Sequence, residues 1–132
     1  MNDALVTLKI AGWIGLILLA VWYDHKHYAT VNHAVGLIVR IFVGILYAGL
    51  VFQVRRPDEW AQWVLIWMAT SFYFFFEAIL NLSVGQAMFY LGRTAWIDRQ
   101  IHKIGGVTTY VWIKIAVVIL MLVSSVQLYK LS

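Results

Sequence analysis

The stretch SFYFFFEAILN, Ser71 to Asn81, places Glu77 directly after three phenylalanines in one of the most apolar parts of the chain. A carboxylate in such a setting is costly unless a cation pairs with it or it is protonated. The apolar pattern around it extends from about Glu59 to Leu82, and a helix needs about 20 such residues to cross a bilayer. Glu77 therefore predicts a polar contact inside a membrane-spanning helix.

The composition of the whole chain is typical of a membrane protein. Hydrophobic residues make up 63% of its 132 residues, charged residues make up 12%, and the mean hydropathy is +0.81. Soluble domains carry about 25% charged residues. The formal net charge of +4 comes from scattered basic residues without a nucleic-acid-binding motif, so no nucleic-acid partner is expected. The chain has no cysteine, which excludes disulfides and cysteine-ligated metals.

Four apolar stretches predict four membrane spans, over residues 4–23, 34–54, 59–84 and 107–128. Residues 85–106 are more polar, and Ile97, Ile101 and Ile104 share one helical face there. This spacing predicts a short amphipathic helix that ends at Gly105–Gly106. We therefore expect an all-α integral membrane four-helix bundle in a single transmembrane domain. Aromatic residues near the span ends are typical of an interfacial belt: Trp13, Trp22, Tyr23, Trp60, Trp63, Trp96 and Tyr129.

Four spans put both termini on the same side of the membrane, here called side A, together with the loop between the second and third spans. The opposite side, side B, receives residues 24–33 and the connection 85–106. Side A carries Lys9, Arg55, Arg56 and Lys130, and side B carries Lys26, Arg93, Arg99 and Lys103. Four basic residues on each side mean that the positive-inside rule does not decide the orientation.

Three charged residues from three predicted spans lie at a similar depth near side B. Arg40 and Lys114 each lie about 10 Å inside their spans, and Glu77 lies about 12 Å from the end of its span. Asn81 follows Glu77 by one helical turn on the same face. We expect Arg40, Glu77, Asn81 and Lys114 to form an intramembrane polar cluster in which Glu77 pairs with Arg40, Lys114 or both. The alternative is that the two cations extend separately to the lipid headgroups.

The helical faces that carry these charges are small or polar. The second span has His33, Gly36, Arg40, Gly44 and Ala48 at spacings of three and four residues, and small residues let neighbouring helices approach closely. The third span carries Thr70, Tyr73, Glu77 and Asn81 on one face, and Tyr110 precedes Lys114 by one turn in the fourth. These faces are predicted to point into the bundle.

The expected surface of side B is rich in charged and histidine side chains: Asp24, His33, Arg93, Asp98, Arg99 and His102. Two cations against one carboxylate in the cluster predict an anionic lipid headgroup as a partner that balances the charge. Asp98 and His102 have a spacing that suits a divalent metal. Loop histidines are usually solvated, so neither a metal nor another cofactor is expected. Haem is disfavoured because no histidine lies within a span.

Three segments, NHAVGLIVR (residues 32–40), FFEAILNLSVG (75–85) and YLGRTAWIDR (90–99), together resemble a pattern in small, uncharacterised four-span membrane proteins encoded by bacteria or phages. The resemblance implies a multi-pass protein of the bacterial inner membrane. It implies no activity.

Three functions remain open from the sequence. The first is a non-enzymatic membrane protein that assembles with itself, with lipid or with a partner through its polar cluster. The second is a small oligomeric channel, transporter or holin-like pore lined by Glu77, Asn81, Thr70 and Tyr73. The third is a lipid-headgroup enzyme with Glu77 or Asp98 as the base. No nucleophile motif or phosphate-binding glycine loop is present, so no catalytic residue is assigned.

Overall fold

The computed structural model describes residues 3–26, 33–86 and 96–131, and within these ranges it is all-helical, without strands. This confirms the predicted all-α class. The five helices are α1 (Asp3–Lys26), α2 (His33–Leu50), α3 (Glu59–Ser83), α4 (Trp96–Ile104) and α5 (Val107–Leu131). Three of them, α1, α3 and α5, are long and apolar enough to cross a membrane. The apolar part of α2, Gly36–Leu50, is shorter.

The connection between α2 and α3 is held by polar contacts at both of its ends. Arg55 donates to the backbone oxygen of Gly49 at 2.5 Å, which satisfies a free carbonyl at the end of α2. Asp58 caps α3, because its carboxylate accepts the backbone N–H of Ala61 at 2.9 Å. The indole of Trp60 donates to the backbone oxygen of Phe52 at 2.9 Å. These contacts fix the position at which α3 begins.

Two glycines with positive φ lie where α3 and α4 end. At the end of α3, Gly85 has a φ of +82° and Gln86 donates its backbone N–H to Asn81, which is the hydrogen bond of a Schellman cap. This cap follows the last helical residue of α3, Ser83. Gly106, with a φ of +66°, separates α4 from α5. Glycine suits both positions because it adopts positive φ without steric cost.

Helices α1 and α3 run parallel and in register. The indole of Trp13 donates to Ser71 Oγ at 3.0 Å, and near the other ends of the same helices His25 Nδ1 lies 3.2 Å from Ser83 Oγ. Both contacts join residues that are 58 positions apart in the sequence. A constant sequence separation along two helices means that they point in the same direction.

Helices α2 and α5 run antiparallel to this pair. Near the start of α2, Arg40 contacts Asp24 at the end of α1, and near its end Tyr47 donates to the backbone oxygen of Lys9. Along α5, Lys114 contacts Glu77, and later in the helix Leu128 packs against the buried apolar cluster. That cluster lies at the end of α2 and the start of α3, and it comprises Trp13, Ile17, Ala48, Phe52, Val64 and Met68.

Candidate functional site

The centre of the candidate site is an ion pair between α3 and α5. Lys114 Nζ lies 2.8 Å from Glu77 Oε2, and the two side chains are only 7% and 16% exposed. Three aromatic rings surround the ammonium group: its distance to the ring centroid is 4.2 Å for Tyr73, 5.1 Å for Tyr110 and 5.8 Å for Phe74. The negative faces of aromatic rings stabilise a cation, so Lys114 has two kinds of electrostatic partner.

Helical spacing brings these groups together. On α5, the residues turned towards the protein recur at intervals of four and three positions: Tyr110, Lys114, Val117, Met121, Ser124 and Leu128. Tyr110 and Ser124 are fully buried. On α3, Thr70 is buried and Tyr73 and Glu77 lie at the same face. The seam between α3 and α5 therefore carries the polar face that the sequence predicted for α3.

A second ion pair joins α1 to α2. Arg40 donates from Nη2 to Asp24 Oδ1, and the two side chains are 23% and 5% exposed. The guanidinium carbon of Arg40 also lies 4.5 Å from the ring centroid of Phe76 on α3. Arg40 thus connects three helices, with a carboxylate on one side and an aromatic face on the other.

This geometry decides between the partners expected for Glu77 and corrects one expectation. Glu77 pairs with Lys114, whereas Arg40 pairs with Asp24. Asp24 is buried and is therefore not part of the side-B surface. The physical reason is that α1 continues to Lys26, three residues beyond the predicted end of its span, so Asp24 is still helical and faces the bundle. A buried carboxylate needs a cation, and Arg40 supplies it.

The corrected pairing changes the charge balance of the cluster. With Asp24 included, two cations face two carboxylates, and the positive excess that suggested a headgroup phosphate between Arg40 and Lys114 is no longer present in these four residues. An anionic headgroup remains a prediction. Its support has to come from other basic residues.

The two ion pairs lie at different levels. By the register of α1 with α3, Asp24 is level with Leu82, which is five residues beyond Glu77 and about 8 Å further towards the end of α3. Phe76 contacts Arg40, and the next residue on α3, Glu77, contacts Lys114. The two ion pairs are therefore connected through α3. The contacts form a continuous chain through α1, α2, α3 and α5.

Three of the remaining predicted residues lie on α3 and α4 in the described part of the chain. Asn81 is half-buried on α3, and its backbone oxygen accepts the N–H of Gln86. Arg99 is exposed and His102 is half-buried on α4. The side chains of His33 and Asp98, and the whole of Arg93, lie outside the described part of the chain. Within that part, no group of three His, Asp or Glu side chains could hold a metal.

Sequence reasoning missed the contacts of Trp13. Its position near the start of α1 suggested an interfacial belt residue, yet its side chain is buried and its indole donates to Ser71. Gly12 beside it lies against the Tyr47 hydroxyl, so close that a Cβ atom at Gly12 would come within 2.5 Å of that oxygen. Gly12 leaves room for the ring of Tyr47, and Gly44 leaves room for the ring of Trp13. The two glycines were the signal for this close packing that the sequence offered.

Several hydroxyl groups in the helices bond to carbonyls of their own helix. Thr70 donates to Ile66, and Ser124 and Ser125 donate to Met121, at 2.7 to 2.9 Å. Such bonds satisfy the hydroxyl locally. They offer little support for a hydrated path along these helices.

Comparison of the chain with protein-family models, with curated protein sequences and with solved structures gives no significant match. The geometry of the site is therefore the basis for a functional proposal.

Proposed function

We propose that the protein is a non-enzymatic, multi-pass membrane protein in which α1, α2, α3 and α5 cross the bilayer as a four-helix bundle, with both termini on side A. Ion pairs between its charged residues hold the helices together. Its outer apolar surface and its side-B surface are then available for assembly with lipid, with further copies of the chain or with a partner protein.

The parallel register of α1 and α3 supports the fourth span. If both helices cross the membrane in the same direction, the chain between them has to return from side B to side A. Helix α2 provides that return: its 18 residues extend about 27 Å, close to the 30 Å of a hydrocarbon core. Val51 and Phe52 continue the apolar stretch beyond the helix, and Phe52 is buried. Pairing with Asp24 lowers the cost of placing Arg40 in the membrane.

One observation carries the functional part of the proposal. Among the described residues, the charged side chains buried in the bundle are held in ion pairs between helices, Glu77 with Lys114 and Asp24 with Arg40. A catalytic base or an ion-binding carboxylate needs access to its substrate, whereas these carboxylates are occupied by cations of the same chain. The arrangement favours a packing role over a channel or an enzyme.

Ion flux in reconstituted liposomes tests this role. We expect vesicles that contain the wild-type protein to be as impermeable to protons and potassium ions as empty vesicles. Glu77→Gln removes the buried carboxylate, and Glu59→Gln on the same helix is the matched control, because Glu59 is exposed in the first turn of α3. A flux that Glu77→Gln abolishes and Glu59→Gln leaves intact would favour the channel instead.

A further inference from the structure

We propose that side B carries a binding surface for the phosphate headgroups of anionic phospholipids, formed by Lys26 at the end of α1 and by Arg99 and Lys103 on α4. This inference rests on the proposed four-span arrangement, which places these residues at one membrane face. It replaces Arg40 and Lys114 as the headgroup ligands, since both are paired within the bundle.

The distribution of charge between the two sides supports this surface. On side B, Asp24 and Glu77 are already paired within the bundle. Outside these two ion pairs, side B has four basic residues, Lys26, Arg93, Arg99 and Lys103, and one acidic residue, Asp98. On side A, four basic residues stand against three acidic ones, Asp3, Asp58 and Glu59. Side B therefore holds +3 of the formal net charge of +4. Each buried ion pair is neutral as a unit, so the excess of basic residues belongs to the surface of side B.

The position of α4 directs part of this charge to the membrane surface. Ile101 is buried against Tyr110, so α4 is anchored at the side-B end of α5. Arg99 and Lys103 are exposed, and no described carboxylate lies within ion-pair distance of either. Beside Lys103, Ile104 is 73% exposed. An exposed apolar side chain next to exposed cations matches the boundary between acyl chains and phosphates.

A similar boundary is found at the end of α1. Lys26 Nζ lies 5.1 Å from the ring centroid of Trp22, and the indole is largely exposed. Tryptophan prefers the headgroup level of a bilayer, and a lysine beside it is placed to reach a phosphate. The combination of exposed apolar groups with cations at both places favours a lipid surface over a soluble anion, which would be bound by the cations alone.

Native mass spectrometry of the full chain tests this surface. The probes are phosphatidylglycerol and phosphatidylcholine with identical acyl chains. The test variant is Arg99→Gln/Lys103→Gln, and the matched control is Arg56→Gln/Lys130→Gln, which removes two exposed cations from side A. Each cation near an anionic surface is worth about a fivefold change in affinity, so we expect the test variant to bind phosphatidylglycerol about 30-fold more weakly. The control should bind it as the wild type does.

Other outcomes would overturn the inference. They are equal retention of both lipids by the wild type, equal loss in the test and control variants, or displacement of the lipid by inorganic phosphate at constant ionic strength. The charge-conserving variant Arg99→Lys/Lys103→Arg should retain phosphatidylglycerol, and its failure to do so would also contradict a surface based on charge. Cysteine labelling at residue 57 distinguishes the lipid surface from the four-span arrangement. If residue 57 is labelled from side A and the test variant binds phosphatidylglycerol as the wild type does, only the lipid surface is refuted. Labelling from side B refutes the four-span arrangement.

Discussion

Removing only one charge of the Glu77–Lys114 ion pair is expected to destabilise the protein more than removing both charges. At 2.8 Å and an effective dielectric constant of about 20, the attraction between the two charges is about 6 kcal/mol. Unfolded helices keep both residues in the bilayer, which reduces the measurable part of this energy. We therefore expect Lys114→Met or Glu77→Met alone to lower the free energy of unfolding by about 3 kcal/mol.

The double variant Glu77→Met/Lys114→Met should lose only about 1 kcal/mol, because well-packed apolar residues replace a buried ion pair at little cost. The coupling energy of the cycle is then about 5 kcal/mol. Reversible unfolding in mixed micelles, followed by tryptophan fluorescence, measures all four free energies. The exposed Arg56–Asp58 pair, with a distance of 3.4 Å, is the control, and its cycle should show no measurable coupling. Additive effects at Glu77 and Lys114 would refute the role of the pair in packing.

Three further predictions concern other contacts of the bundle. Asp24→Asn removes the negative charge opposite the guanidinium of Arg40, and we expect about 2 kcal/mol of destabilisation in the same unfolding assay. No change would mean that Arg40 reaches the headgroups instead. Gly12→Ala places a Cβ atom 2.5 Å from the Tyr47 hydroxyl and should cost about 1–3 kcal/mol, whereas Gly15→Ala, with open space around it, should be neutral or slightly stabilising; equal effects would contradict the packing of α1 on α2. The backbone N–H of Ala61 lowers the pKa of Asp58, so the cap stabilises α3 at a pH above the ordinary pKa of an aspartate and is lost as the pH falls through the pKa in the folded state. Amide exchange at Ala61 should show this acid-induced fraying in the wild type and fraying at every pH in Asp58→Ala. Equal protection in both proteins would argue against the cap.

The sequence predicts the helices well because length and apolarity depend on local residues. Gly85 and Gly106 mark the ends of α3 and α4 through their positive φ, and both lie where the sequence expects a break. Counting residues also places Glu77 and Lys114 at the same depth, since the rise along a helix is fixed. Length alone does not give the number of spans, because α2 is shorter than its predicted stretch and the crossing proposed for it rests on the register of α1 and α3.

The partner of Arg40 could not be predicted in the same way. Depth along a helix follows from the sequence, but the rotation of each helix and the choice of neighbour depend on tertiary packing. The polar run that begins at Asp24 predicts a loop, and the continuation of α1 to Lys26 brings Asp24 into contact with Arg40. Trp13 likewise has the position of a belt residue, and only its bond to Ser71 reveals that it is part of the core.

Single-cysteine labelling from the two sides of the membrane tests the four-span arrangement most directly. The chain has no native cysteine, so each introduced thiol reports one position. Suitable positions are Asn2, Pro57, Gln86 and Ser132. We predict that residues 2, 57 and 132 react with an impermeant reagent from one side and that residue 86 reacts from the other. Labelling of residue 57 from the same side as residue 86 would contradict the crossing of α2, and with it the bundle proposed for this protein.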